Sequence, residues 1–267
     1  MPVRALIGAA GLFGIAENNL RVALARLMAT GLVERDERGQ YRLGTGAGAI
    51  RDQVASWRRI EEQVRPWEGG WVAACTGGAR RGLRGRVRRQ SQALRLLGLR
   101  ALAPGLAVRP DNLTGGVPAV RERLVGLGLE PDTIVAALDG LDATTEARAR
   151  RLWDAERLVA GYRRMRAALE RSERRLPRLE PAEAMAESFL LGGRAIREIV
   201  LDPLLPEPLV PGAERAALVE AMRRYDRAGR ACWAAFLRGA GFSAVRLPIE
   251  PRVIGAPGHL AATGGIA

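Results

Sequence analysis

The stretch NNLRVALARLMATGLVERDERGQYRLG, from Asn18 to Gly44, constrains this chain more than any other. Leu20, Ala23, Leu24 and Leu27 stand at i, i+3, i+4 and i+7, which puts apolar side chains on one face of a helix. That face is expected to be buried. Gly31 stands where the helix must stop, because a left-handed residue after the last turn costs glycine little. LVER, DERG and QYRL then read as strand, turn and strand, with Tyr41 and Leu43 on one face and Gln40 and Arg42 on the other. Ahead of them, Val3 to Leu12 suits one more short helix. Helix, tight turn, helix, hairpin is the order of a winged helix-turn-helix.

Away from the leucine stripe lie Asn18, Val22, Ala25, Arg26 and Ala29, with Asn19 and Arg21 on the flanks. A helix entering the major groove needs such a face. Small residues permit close approach, and Arg and Asn address guanine and adenine edges. Arg35, Arg38 and Arg42 on the hairpin are placed for neighbouring phosphates. The expected contacts to double-stranded DNA are therefore Asn18, Asn19, Arg21, Val22, Arg26, Arg35, Arg38 and Arg42. The plainer alternative is a solvated helix beside a solvated hairpin. The tight helix–Gly–hairpin join favours the DNA reading.

Charge points the same way. Lys+Arg number 42 against 29 Asp+Glu, a formal charge of +13, which favours an anionic partner. The chain contains no lysine, so arginine, raised by what looks like a GC-rich coding bias, carries the whole positive charge. Where the arginines cluster therefore matters more than their number. Without lysine there is no Schiff base and no Walker-type phosphate loop. His259, Cys75 and Cys232 are the only residues of their kinds, too few and too scattered for a zinc site or a Ser-His-Asp or Cys-His system. Two separated cysteines suit buried positions in a reducing cytoplasm, and cytoplasmic localisation is expected. The apolar run near the N-terminus loosely resembles a secretory leader. It is too short to span a bilayer and is read as core, with no membrane partner.

Along the chain, GTGAGA at Gly44 reads as a flexible joint rather than a dinucleotide loop, since no strand–turn–helix surrounds it. A clean helix is expected from Ala49, with Ile50, Val54, Trp57 and Ile60 as its stripe, ending at Pro66. Then come a strand (Trp71 to Cys75), a helix (Ala79 to Leu97), two short strands around Pro104-Gly105, a helix (Val117 to Leu127) and a strand (Ile134 to Leu138). This βαββαβ order is that of a ferredoxin-like domain. From Thr145 one long helix is expected, lined by Leu152, Ala155, Leu158, Tyr162, Met165 and Leu169. Another spans Pro181 to Val200, with Gly192-Gly193 as a place to kink. LDPLLPEPLVPG cannot be helical, because its prolines remove donors and force extended backbone. A last helix spans Ala213 to Leu237, followed by a Gly/Pro-rich tail.

The expected class is α+β: a winged helix-turn-helix over 1–48, a linker helix over 49–66, a ferredoxin-like domain over 67–143, a helical C-terminal domain over 144–240, and the tail over 241–267. Arg80 to Arg89 holds six arginines in ten residues, either a phosphate-binding surface or a solvated helix face. Trp67, Trp71 and Trp153 can stack on a ring or fill core.

LRVALARLMATGLVERDERGQYRL, WEGGWVAAC, LRALAPGLAVRPDNL and DPLLPEPLVP follow one another here as in the phenylacetate-degradation repressor family, PaaX, and the resemblance covers the chain to about Leu237. It implies a bacterial transcription regulator, not an enzyme, built from a winged helix, a ferredoxin-like domain and a helical domain. Best-known members repress aromatic-acid catabolic genes and release DNA on binding an aryl-acyl-CoA. No cofactor is implied beyond that effector, expected to be phenylacetyl-CoA or a related CoA thioester. Its phosphates would meet Arg80, Arg81 and Arg84, and its ring a pocket near Trp71, Trp153 or Tyr162. The change on binding is expected to hinge at Gly44 to Gly48. In the family another helix precedes the segment matching Val3 to Leu12, and a Trp and Gly follow DPLLPEPLVP. Here the sequence begins later, and Pro211-Gly212 leads directly into a helix. A homodimer is expected too, because one winged helix meets few base pairs and two-fold symmetry brings two helices to half-sites roughly 34 Å apart. The helices beginning near Ala49 and Thr145 offer apolar surface for that contact.

The main rival is a nuclease of the small ferredoxin-like CRISPR-associated kind. Its metal needs an acidic residue after the first strand, and Cys75-Thr76-Gly77-Gly78 stands there. An RNA-binding reading lacks the aromatic platform that single-strand binders present on a sheet.

Overall fold

The computed structural model describes residues 1–48, 55–77 and 84–239. The class is α+β, with two small antiparallel sheets and many helices. The chain divides into two compact units, neither continuous in sequence. Among the described residues, one comprises 1–48, 55–58, 164–200 and 218–239; the other comprises 59–77, 84–163 and 201–217.

The first unit opens with α1 (Val3–Gly11) and α2 (Glu17–Ala29), followed by β1 (Val33–Arg35) and β2 (Tyr41–Leu43). The end of α2 is a double hydrogen-bonded cap: Leu32 N donates to Leu27 O, Gly31 N donates to Met28 O, and Gly31 has φ +69°. The hairpin turn is held by Asp36, whose carboxylate accepts from the backbone N–H of Arg38 and Gln40, with Gly39 left-handed at φ +74°.

GTGAGA is not a loose joint where it is described. Thr45–Ala47 is a 3-10 turn docked on the end of α2. Gly44 N donates to Leu32 O and Gly46 N to Gly31 O. A Cβ on Gly44 would stand 2.2 Å from Gly31 O, so glycine is required there for close approach rather than for freedom. The leucine stripe of α2 is covered less than its spacing predicts. Leu24 is buried and Leu20 half-buried, while Ala23 and Leu27 are exposed. The buried residues of α1 are Ala5, Ala9 and Ala10, too small to cover a full helical stripe.

The expected linker helix is also different. Its beginning, Ala49 to Val54, lies outside the described residues. Ser56–Gln63 forms 3-10 turns broken at Arg59 (φ −120°, ψ 27°), although Trp57 and Ile60 are buried as their spacing predicts.

The second unit holds β3 (Trp71–Cys75), α3 (Arg84–Leu96), β4 (Arg100–Ala103), β5 (Leu106–Pro110), α4 (Gly116–Gly126) and β6 (Ile134–Leu138). Spatially the strands run β4-β5-β3-β6, each antiparallel to its neighbours. β3, central and nearly all apolar, is buried along Trp71–Ala74. α4 packs on β3 and β6, and α3 on α4, through Ala93, Val120 and Leu124.

Helical structure from Thr145 is two elements, not one. α5 (Ala143–Arg150) is capped by Asp142, whose carboxylate accepts from Thr144 N and Thr145 N. The chain breaks at Leu152-Trp153, and Asp154 starts α6 (Ala155–Arg175) by accepting from Arg157 N. Asp at each start is what a count of apolar spacing overlooks. The stripe Tyr162, Met165, Leu169 is buried as expected, and α6 contributes to both units. α7 (Pro181–Val200) runs as helix through Gly192-Gly193 with no interruption, and α8 (Gly212–Gly239) closes the described chain.

Candidate nucleic-acid interface

All eight residues singled out for DNA are on the first unit, and each is exposed. Asn18, Asn19, Arg21, Val22 and Arg26 lie on α2. Arg35 and Arg42 lie on the hairpin strands, and Arg38 in its turn. Hydrogen bonds at the end of α2 fix the helix against the hairpin, so the two sets of cations belong to one local frame.

These arginines are not equivalent. Arg21 donates to Glu17 at 2.6 Å, an exposed i,i+4 pair. Arg42 pairs with Glu34 at 3.0 Å, and Glu34 also accepts from Thr45 N. Exposed pairs of this kind contribute little, so either guanidinium is available to a phosphate at small cost. Arg35 lies over the Tyr41 ring, 5.8 Å from its centroid. Arg26 and Arg38 make no side-chain ion pair among the described residues.

The residues expected to hold an effector are placed differently. Arg80 and Arg81 lie outside the described residues, and only the backbone of Arg84, which begins α3, is described. Trp71 and Trp153 do come together. Their rings stack on each other at 6.1 Å and 5°, and they are 1% and 7% exposed. Their indole N–H groups are engaged, Trp71 donating to Glu146 and Trp153 to Gly98 O. The pair presents no open ring face. Tyr162 is buried without a hydrogen-bond partner for its hydroxyl, and burial pushes that hydroxyl well above the usual phenol range, with the Asp202 charge adding to the shift.

Asp202 belongs to the proline-rich segment, and the structure shows what holds that segment. Arg109, fully buried on β5, donates to Leu97 O, Pro110 O, Pro203 O at 3.2 Å and Asn112 Oδ1 at 3.1 Å. Asn112 donates to Leu204 O at 2.7 Å, and Arg215 to Leu205 O at 3.0 Å. Asp202 accepts from Leu204 N, and Leu204 adopts φ 51°, left-handed for a leucine. Thus RPDN and DPLLP, some ninety residues apart in sequence, form one buried lock. Burial lowers the Arg109 guanidinium to about 9 and raises the Asp202 carboxyl.

Residues 153–235 match the model of the PaaX-like protein C-terminal domain. Over that span the chain is similar to this family. The sequence resemblance is borne out over that span. A solved structure, the uncharacterized protein Rv0674 from Mycobacterium tuberculosis, shares the fold with a TM-score of 0.57 and 22% identity, over 86% of this chain and 91% of that one. No curated protein matches the chain.

The matched span comprises α6, α7, the proline-rich segment and most of α8. Between α7 and α8 it has an open apolar groove of about 610 Å³, walled by Phe189, Ile196, Val200, Met222 and Trp233. Sequence reading missed Phe189 and Trp233. Their signal was available: large aromatics beside glycines on two long helices, where glycine leaves space. Among the described residues no group of three or more His, Cys, Asp or Glu is placed to hold a metal, and no helix is long and apolar enough to cross a membrane.

Proposed function

We propose that this protein is a DNA-binding transcriptional regulator, a repressor of an aromatic-acid catabolic operon, released from its operator by an aryl-acyl-CoA. The observation that carries the reading is the exposed face of α2, fixed by backbone hydrogen bonds beside a hairpin bearing Arg35, Arg38 and Arg42. In this reading residues 1–48 are a winged helix, 67–143 a ferredoxin-like domain and 144–240 the helical domain. α2 enters the major groove and the hairpin grips phosphates. Similarity to the PaaX-like C-terminal domain supports the regulator class. The effector is phenylacetyl-CoA or a related thioester, and the protein acts as a cytoplasmic homodimer.

Arg26 carries the sharpest test, because no described acidic residue pairs with it. Arg26→Ala is expected to weaken operator binding by about 1–3 kcal/mol if the guanidinium meets a base edge, and to reduce the salt slope by about one if it meets a phosphate. A mobility-shift titration on the promoter of its own operon, against random duplex at several salt concentrations, measures both. Equal affinity for promoter and random DNA refutes sequence-specific binding.

A further inference from the structure

The groove between α7 and α8 lies wholly within the first unit, whose folded residues include α1, α2 and the hairpin. It is made by small residues. A Cβ added to Gly192 would touch Met222 and Tyr225, and one added to Gly229 would stand 3.4 Å from the Ser188 side chain, so the two helices approach closely at those points. Gly193 is different: it lines the groove, and a Cβ added there meets nothing within 4 Å. The space above it is open, and its size suits a small organic ligand.

Its chemistry is amphiphilic. The walls are aliphatic and aromatic, and Phe189, 54% exposed, meets Trp233 edge-on at 5.9 Å. The groove also touches Arg197, Asp226 and Arg230. Asp226 is shared between Arg58 at 2.8 Å and Arg230 at 3.0 Å, and Arg197 makes no ion pair among the described residues. The groove lining holds two guanidinium groups and one carboxylate, and Arg197 places positive charge beside the apolar slot. An aromatic body with an anionic group fits that combination; a neutral apolar partner or a cation does not.

The groove also touches the N-terminal elements directly. Phe13, which follows α1, packs on Phe189 at 5.3 Å, so rings run from Phe13 through Phe189 to Trp233. Met1 lines the groove, its carbonyl accepts from Tyr41 N of β2, and Pro2 bridges to Gln40. A ligand bound here shares side chains with the elements proposed to hold DNA.

We propose that this groove binds the aryl-acyl group of an anionic ligand, and that its occupation acts on α1 and the hairpin through Phe13 and Met1. The choice of ligand rests on the effector reading above; the location does not. Calorimetry on the full chain with phenylacetyl-CoA, phenylacetate and free CoA separates the acyl end from the nucleotide end. Phenylacetyl-CoA or phenylacetate is expected to bind. Gly193→Phe, which fills the slot, is expected to lower that affinity at least tenfold with an unchanged circular dichroism spectrum and melting midpoint. Arg197→Gln, on the exposed surface, keeps the test open should the first variant misfold, and is expected to lower affinity several-fold. Amide hydrogen exchange on ligand addition is expected to change in residues 5–13 of the wild type, and not in Phe13→Ala, which still binds ligand.

Wild-type affinity in both Gly193→Phe and Arg197→Gln would place the effector elsewhere, and the effector reading would stand without this site. Binding of none of the three probes by the wild type would refute both. Should light scattering give a dimer that Gly193→Phe dissociates, the groove is a contact between copies and the ligand proposal fails.

Discussion

At the residue scale, Arg109 and Asp202 show how a charge is kept inside this protein. Arg109 survives burial because four oxygens take its donors, three of them main-chain carbonyls. Asp202 is less well compensated: Arg215 stands 3.8 Å away, and burial outweighs the attraction of the arginines. Between the ordinary carboxylate value near 4 and the raised folded value, the folded state holds the extra proton, so wild-type stability falls as pH rises through that window. Asp202→Asn removes the charge and keeps an oxygen for Leu204 N. Its stability relative to wild type is expected to improve from about pH 4 upward. Urea midpoints at pH 4, 6 and 8 check this, and a pH-independent difference would mean that Asp202 does not titrate there. None of this was legible in the sequence. RPDN and DPLLP were visible as motifs, but only the fold brings them together. Tyr162 was expected beside a ligand ring and instead lies in this buried cluster, because a half-apolar side chain on a helical stripe goes wherever the stripe is buried.

Elements were more legible, since local pattern decides them. The strand Trp71–Cys75 and the helix Pro181–Val200 stand where apolar spacing and proline placed them. Misreadings came where one local interaction outweighs spacing. Asp154 restarts a helix that the apolar stripe alone would carry straight through Leu152. Asp154→Ala is expected to cost about 1 kcal/mol in thermal or urea unfolding. Glycine was misjudged for a related reason: in GTGAGA it suggested freedom, whereas at Gly44 it permits contact. Gly44→Ala must push a Cβ into Gly31 O and is expected to destabilise by on the order of 2–4 kcal/mol. Gly48, with φ −54° and open space for a Cβ, is the control: Gly48→Ala is expected to stabilise by about 0.4–1 kcal/mol. Equal effects at the two positions would contradict the close-approach account.

For the whole molecule, class and the order of elements followed from the sequence, while the grouping of the elements did not. Nothing in the spacing of Leu20 or Tyr162 says that α1 and α2 share a compact unit with α7 and α8. The candidate DNA face was visible because arginines on a helix and an adjoining hairpin are local in sequence. The groove escaped notice because its walls come from two helices and its floor from glycines. If the protein acts as proposed, light scattering at micromolar concentration is expected to give twice the chain mass, with and without operator. A monomer under both conditions would contradict the dimer.

The discontinuity of the two units also has a consequence for synthesis. The ribosome releases Met1–Arg58 early, yet the partners of that segment begin at Arg164 and include residues beyond Leu218. Arg109 and Asn112 likewise wait for Pro203 and Leu204 before their donors are met. Neither unit can finish until most of the chain has emerged, so contacts of long sequence separation close last and slow folding. For most of its translation the nascent protein holds an arginine-bearing helix and hairpin without their supporting helices, and a chain stopped before Leu218 cannot complete the first unit.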